Sequence, residues 1–126
     1  MHAEGKKNLV FVVDDEPSIA KTAAMVLCTV GVDARAFSDP VAALKAALIE
    51  SPNLLLSDVV MPQLSGYELR AKVVEQCPGC KVVLFSGNPG ARDNYAKTSS
   101  EKSLEILPKP IAPERLMSVV RLTLET

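Results

Sequence analysis

Asp14, Asp15 and Glu16 stand in a row directly behind the apolar run Leu9-Val10-Phe11-Val12-Val13, and a further acid, Asp58, follows Leu54-Leu55-Leu56-Ser57. Ser86 closes the run Val82-Val83-Leu84-Phe85, and Lys109 lies between Pro108 and Pro110, just after Leu104 to Leu107. Carboxylates pushed together in a partly buried crevice repel, and one takes up a proton unless a cation intervenes. A divalent metal meets that need. Oxygen-only ligands with few protein donors suit Mg²⁺, or Mn²⁺ in its place, because such an ion keeps waters and shares its remaining positions with a substrate phosphate. Lys109 would add a second positive charge and Ser86 a hydrogen-bond donor. A metal, a cation, a hydroxyl donor and a carboxylate able to attack in line are the parts of phosphoryl transfer. Singly, each residue has a plainer reading: the acids as favourable charges at a helix N-terminus, Asp58 as a turn residue, Ser86 as a cap, Lys109 as a solvated charge. The weight lies in their meeting at one place.

They meet only if the intervening elements bring them to one edge. Leu9 to Val13 is a continuous apolar run ending in acid, the pattern of a strand buried on both faces of a parallel sheet. After Pro17, a first-turn proline, Ile19, Ala23, Val26, Leu27 and Val30 recur at helical spacing until Gly31 stops the helix. Asp33 to Phe37 reads as a short strand. Ser38-Asp39-Pro40 then reads as a cap, opening a helix whose inner face is Val41, Leu44 and Leu48. Leu54 to Leu56 is a third strand ending at Ser57-Asp58. Ser65-x-x-Glu68 is a capping-box signature before a helix with Leu69 and Val73 inward; Tyr67 is read as a surface residue, and Met25, Met61 and Met117 as packing. Val82 to Phe85 is a fourth strand. Between Asn88 and Ser103 the pattern is poor, leaving at most a short helix near Ala91 to Thr98. Leu104 to Leu107 is a fifth strand, and a last helix starts at Pro113 with Leu116, Val119 and Val120 inward. Strands alternating with about five helices imply an α/β fold, a single doubly wound five-stranded parallel sheet in the order 2-1-3-4-5, flavodoxin-like, with the fourth helix short or irregular. Ligands of such sheets bind outside the carboxyl ends of the strands, which is where Asp14, Asp15, Asp58, Ser86 and Lys109 fall.

The chain's 126 residues suit one domain, over 9–126, after a polar extension at 1–8 that holds His2. Hydrophobic residues make up 48%, enough for a core. Fourteen Lys and Arg against 15 Asp and Glu leave a net charge of −1, which disfavours direct nucleic-acid binding and an anionic membrane surface. No apolar run approaches the roughly 20 residues that span a bilayer, and a cytoplasmic protein is expected. Three cysteines argue against a secreted disulfide framework. Cys77-Pro78-Gly79-Cys80 has the spacing of a redox pair or half a zinc site, but it follows a helical pattern rather than opening one. It is read as a helix-to-strand turn that happens to carry thiols.

The sequence resembles the receiver domain of response regulators, the phospho-acceptor half of bacterial two-component signalling, over essentially Leu9 to Glu125. Four segments carry the resemblance: Val12-Val13-Asp14-Asp15-Glu16-Pro17, Ser57-Asp58-Val59-Val60-Met61-Pro62 with Gly66 eight positions after Asp58, Phe85-Ser86-Gly87, and Leu107-Pro108-Lys109-Pro110. The resemblance implies that a histidine kinase or histidine phosphotransfer protein phosphorylates Asp58. It implies that Asp15, assisted by Asp14, holds Mg²⁺ together with Asp58 and the backbone carbonyl of Val60. Ser86 would bond the phosphoryl group and move toward it, and Lys109 would pair with Asp58 or with the phosphoryl oxygens, ahead of a Lys109-Pro110 bond that is often cis in this family. Such a domain catalyses only its own phosphorylation and dephosphorylation, and passes the signal to a downstream protein effector or to the rest of a longer chain.

Three departures from the family pattern carry consequences. Ile106 occupies the position, three before Lys109, that usually holds Tyr or Phe, so aromatic switching is unavailable there. The poor pattern after Gly87 argues against dimerisation through the usual fourth helix, fifth strand and last helix. Val60, two positions after Asp58, cannot hydrogen-bond an attacking water, so the phosphoryl group is not expected to be especially short-lived. Three other readings compete. A flavodoxin-like electron carrier would need aromatic stacking and a Ser/Thr/Gly-rich phosphate loop after the first strand, where the acidic residues would repel FMN phosphate. A haloacid-dehalogenase-like phosphatase would want a second Asp two residues after its nucleophile, but Glu16 and Pro17 stand there. A docking module that keeps the fold without phosphorylation would show degenerate acidic or Lys positions, and none is degenerate.

Overall fold

A computed structural model describes residues 7–87 and 106–125. Five parallel strands, β1 (Leu9–Val13), β2 (Asp33–Phe37), β3 (Leu54–Asp58), β4 (Lys81–Ser86) and β5 (Ile106–Pro108), form one sheet in the order β2-β1-β3-β4-β5, as the alternation predicts. Between and after them run α1 (Pro17–Cys28), α2 (Pro40–Ile49), α3 (Gly66–Gln76) and α4 (Pro113–Glu125). The helix expected near Ala91 to Thr98, the first residues of the expected fifth strand and most of the N-terminal extension lie outside the described residues.

Every residue of β1 and β3 is buried, because helices cover both faces of the sheet. Val10, Val12, Leu54, Leu56, Val83, Phe85 and Leu107 point to one face, where α1 and α4 pack through Ala24, Leu27, Leu116, Val119 and Val120. Leu9, Phe11, Val13 and Leu55 point to the other, against Ala43 and Ala47 of α2 and Leu69 and Val73 of α3. Three helices open at a proline, Pro17, Pro40 and Pro113, whose missing N–H costs nothing in a first turn. Asp39 caps α2 by accepting from the Val41 amide at 3.0 Å. Ser65 and Glu68 form the expected capping box on α3.

The inner faces of α3 and α4 are those the sequence predicts; those of α1 and α2 are so only in part. On α1 the expected Leu27 is buried, but beside Ala20 and Ala24, with Ala23 partly buried on the core and Ile19 and, just past the helix, Val30 exposed; on α2 Pro40, Ala43 and Ala47 are buried, the expected Leu44 packs partly buried on the core and Leu48 is exposed. Alanines let a helix axis approach a sheet closely, so the bulky neighbours are moved to the flanks, where Ile19 and Leu48 are exposed. Met25 is exposed as well, whereas Met61 is buried and Met117 packs on the core, so the packing role holds for two of these three methionines. Tyr67, expected on the surface, is half-buried against a small cluster centred on Val59 and Leu84.

Candidate functional site

Among the described residues, the buried polar ones are Asp14, Ser57, Asp58 and Ser86, all at the carboxyl ends of β1, β3 and β4. The ladder runs one residue past the strands and fixes these positions. The Asp14 amide donates to Phe37 O at 3.0 Å, the Val59 amide to Phe85 O at 2.8 Å and the Lys109 amide to Ser86 O at 3.0 Å. Each site residue is therefore pinned by its own or its neighbour's backbone to the adjacent strand, the rigid support that positioned chemistry needs.

Asp14, Asp15 and Asp58 bring carboxylate oxygens within 4.8 Å of one another, with Asp14 and Asp58 buried and Asp15 exposed at the mouth. Lys109 Nζ donates to Asp14 Oδ2 at 2.7 Å and lies 3.3 Å from Asp58 Oδ2. The shorter bond goes to Asp14, whereas the resemblance points to Asp58 first. Asp14 Oδ1 accepts from the Glu16 amide at 2.9 Å, so Asp14 also shapes the entry to α1, and Glu16 serves as its N-cap residue. The Lys109-Pro110 bond is cis. Ser86 is buried at the end of β4, and Val60 lies two-thirds exposed at the rim (67%).

Burial pushes the Asp58 carboxyl above the usual aspartate range; the Lys109 ammonium opposes this, and the charges of Asp14 and Asp15 reinforce it. Burial alone would lower Lys109, but the hydrogen bond to Asp14 and the charges of Asp58 and Asp14 outweigh it and raise its pKa. Three carboxylates thus face one ammonium, and the excess negative charge is what a bound divalent cation would relieve. The donor set is all oxygen and partly solvated, which fits Mg²⁺.

Two further residues, Gly66 and Ser57, shape the site. A Cβ at Gly66 would stand 2.3 Å from Asp58 O and 2.9 Å from Val59 Cα, so only glycine lets α3 start this close to the acceptor strand. Its amide donates to Val59 O at 2.7 Å. Ser57, fully buried, donates its hydroxyl to Asp58 O at 2.9 Å. A signal for Gly66 was present as its fixed distance from Asp58; for Ser57 there was none. The loop between them holds Gln63 at φ 73°, with the Leu64 amide donating to Pro62 O at 2.8 Å. Beside the Asp14–Lys109 pair opens an apolar cavity of about 410 Å³, lined by Ile19, Ala23, Phe85, Ile111 and Leu116.

Cys77 and Cys80 are free and buried in the core under α2 and α3, bonding Ala47 O and Lys81 O, and Cys28 is free and exposed. Burial pushes the Cys80 thiol up to about 12. The pair closes a turn, Cys80 N to Cys77 O at 2.9 Å, as the plainer reading has it.

The model of the response regulator receiver domain family matches residues 10–121. Among curated relatives, the probable transcriptional regulatory protein TcrX of Mycobacterium tuberculosis is 29% identical over 94% of this chain, and protein PilG of Pseudomonas aeruginosa is 31% identical over 89%. The chain spans 50% of TcrX and 84% of PilG. A CheY-like response regulator receiver domain protein from Methanospirillum hungatei superposes with a TM-score of 0.83 at 21% identity, covering 95% of each chain.

Proposed function

We propose, for a chain that belongs to the response regulator receiver domain family, that Asp58 is the phosphoryl acceptor and that a histidine kinase or a histidine phosphotransfer protein is the donor. The observation that carries this is the convergence of Asp14, Asp15, Asp58 and Lys109 at one sheet edge. An Asp58 carboxylate oxygen forms the new bond to phosphorus as the phosphorus–nitrogen bond of phosphohistidine breaks, and its electron pair leaves with the imidazole. Mg²⁺, held by Asp14, Asp15, Asp58 and the Val60 carbonyl, would supply charge neutralisation for the phosphoryl oxygens. Lys109 neutralises the acceptor side, and the Ser86 hydroxyl is the donor to a phosphoryl oxygen. Positioning and electrostatics do most of the catalysis in such transfers.

Ile19 and the apolar cavity beside Lys109 give the donor protein a place for apolar side chains next to its phosphohistidine. The reaction is stoichiometric, one phosphoryl group per chain, with water returning inorganic phosphate; the apolar Val60 at the rim offers that water no hydrogen bond. The output is read by a protein effector, on the same chain or another, and the location is cytoplasmic. Among the described residues no helix is long and apolar enough to cross a membrane.

Incubation with acetyl phosphate, with and without Mg²⁺, followed by intact mass, tests this. One phosphoryl increment that needs Mg²⁺ and disappears in Asp58→Asn is expected. A folded, Mg²⁺-binding protein that never gains the increment would overturn the acceptor reading in favour of a docking module. Sustained phosphate release without a trapped adduct would instead favour a phosphatase.

A further inference from the structure

We propose that Tyr67 couples the state of Asp58 to the β4–β5 edge of the sheet, an inference that rests on Asp58 being the acceptor. The first turn of α3 lies directly on the acceptor's own peptide unit. The Gly66 amide donates to Val59 O at 2.7 Å, and a Cβ at Gly66 would reach Asp58 O at 2.3 Å. No side chain cushions that contact. The same peptide unit is held from two other sides, by the Ser57 hydroxyl on Asp58 O at 2.9 Å and by the Val59 amide on Phe85 O at 2.8 Å. Close-packed groups held this way pass a small displacement on rather than absorbing it.

Tyr67 is the next residue on α3. It packs on Val59 and Leu84, both buried, in a cluster completed by Val82 and Ile106. Leu84 and Ile106 are register partners across β4 and β5. Tyr67 thus belongs to a cluster that joins the segment just after Asp58 to the two strands that lead to Ser86 and Lys109. Within this cluster Val59, Val82 and Ile106 are β-branched and stiff at χ1. Tyr67 is half-buried, with an apolar body and a polar tip that reports on its surroundings. A phosphoryl group on Asp58 replaces the single carboxylate charge with roughly two negative charges, placed further out beside Asp14 and Asp15. It displaces the Asp58–Val59 peptide or draws in Ser86, and either movement reshapes the pocket that holds the tyrosine ring.

The chain has no tryptophan and two tyrosines, Tyr67 and Tyr95. In a Tyr95→Phe variant, Tyr67 is the sole emitter. Acetyl phosphate with Mg²⁺ is added while intact mass gives the modified fraction. The expected result is a change in tyrosine emission that scales with that fraction and is lost in Asp58→Asn. Amide exchange at Ile106 and Leu107, followed in the otherwise native chain, should change on phosphorylation. In Tyr67→Leu, which keeps apolar bulk, that change should be lost while the full mass increment remains. A full increment without an emission change, or a β5 exchange response that survives in Tyr67→Leu, would overturn the coupling alone. Absence of the increment would overturn the acceptor reading and the coupling with it.

Discussion

At the carboxyl ends of β1, β3, β4 and β5 stand Asp14, Asp58, Ser86 and Lys109; at the amino end of β4 stand Cys77 and Cys80. Both sets are residues whose types and spacing suggest chemistry, and both are largely buried. They differ in what burial does to them. At the carboxyl end the strands stop, the helices have not yet closed over them, and the buried carboxylates share a mouth with exposed Asp15 and an ammonium. At the amino end α2 and α3 close over the thiols, each of which bonds a backbone carbonyl, and Cys80 is pushed up to about 12. Reactive spacing becomes a site only where the fold leaves charge unbalanced and reachable.

Glycines at the two ends give the sharpest break of this comparison. Gly66→Ala forces a Cβ onto the Asp58 carbonyl, and an overpacking cost of about 3 kcal/mol is expected, with slower acetyl phosphate labelling of Asp58. Gly79, between the two cysteines, has nothing within 4 Å of its Cβ direction and no left-handed φ. Gly79→Ala should be neutral, or stabilising by up to about 1 kcal/mol through the unfolded chain. Urea melts of both variants check this; equal costs would mean that the carboxyl-end loop yields more readily than its close approach implies.

Lys109→Met ranks next. It leaves Asp14 and Asp58 without their cation, and discounting the full cost of breaking a buried pair for Lys109's partial exposure gives a loss of about 2 kcal/mol in Mg²⁺-free buffer. Mg²⁺ should restore a larger part of stability in this variant than in the native protein. Melts with EDTA and with Mg²⁺ decide it, and a variant indifferent to Mg²⁺ would speak against the three carboxylates as a metal site.

Much of this was legible in the chain. The alternation of strands and helices and the inner faces of α3 and α4 follow from periodicity, because charged residues mark the outer faces of those two helices; the capping box follows from the Ser65-x-x-Glu68 spacing, and the strand order is the one usual for such a sheet. On α1 and α2 the periodic signal came from Ile19, Val26, Leu27, Leu44 and Leu48, yet apart from Leu27 it is mainly alanines that are fully buried there. Apolar size and closeness of packing point in opposite directions there, and only the packed structure decides between them. At the site, the residues were legible and their pairing was not. The 2.7 Å bond of Lys109 to Asp14 joins residues 95 apart and depends on the sheet register. Tyr67 was misread because its neighbours in sequence are caps, while its neighbours in space are Val59 and Leu84.

A smaller effect tests the amino end directly. Native protein treated with iodoacetamide should take one label per chain, on exposed Cys28, and three after denaturation. Cys80→Ala should cost about 1 kcal/mol for the small void it leaves and should not change Asp58 labelling. Rapid alkylation of Cys77 or Cys80 in the native state would erase the distinction between the two ends.

The smallest effect belongs to a second bridge built on the same plan as the one at Lys109. Arg35 lies between Asp33 at 2.9 Å and Glu50 at 3.1 Å, as Lys109 lies between Asp14 and Asp58, but all three side chains are exposed. The hydrogen bond from Arg35 holds the Asp33 carboxyl below its ordinary range. A carboxylate with a depressed folded-state pKa binds fewer protons folded than unfolded, so its contribution is complete above the ordinary aspartate value. It is lost as the pH falls through the lowered one. Arg35→Ala should therefore cost about 0.2–1 kcal/mol near neutral pH. The difference from native should shrink below about pH 4 and in roughly 1 M salt, where exposed charges are screened. Melts of the two proteins across pH and salt measure it. A cost that persisted in high salt would mean that Arg35 acts by packing rather than charge, and that exposure alone does not separate the two bridges.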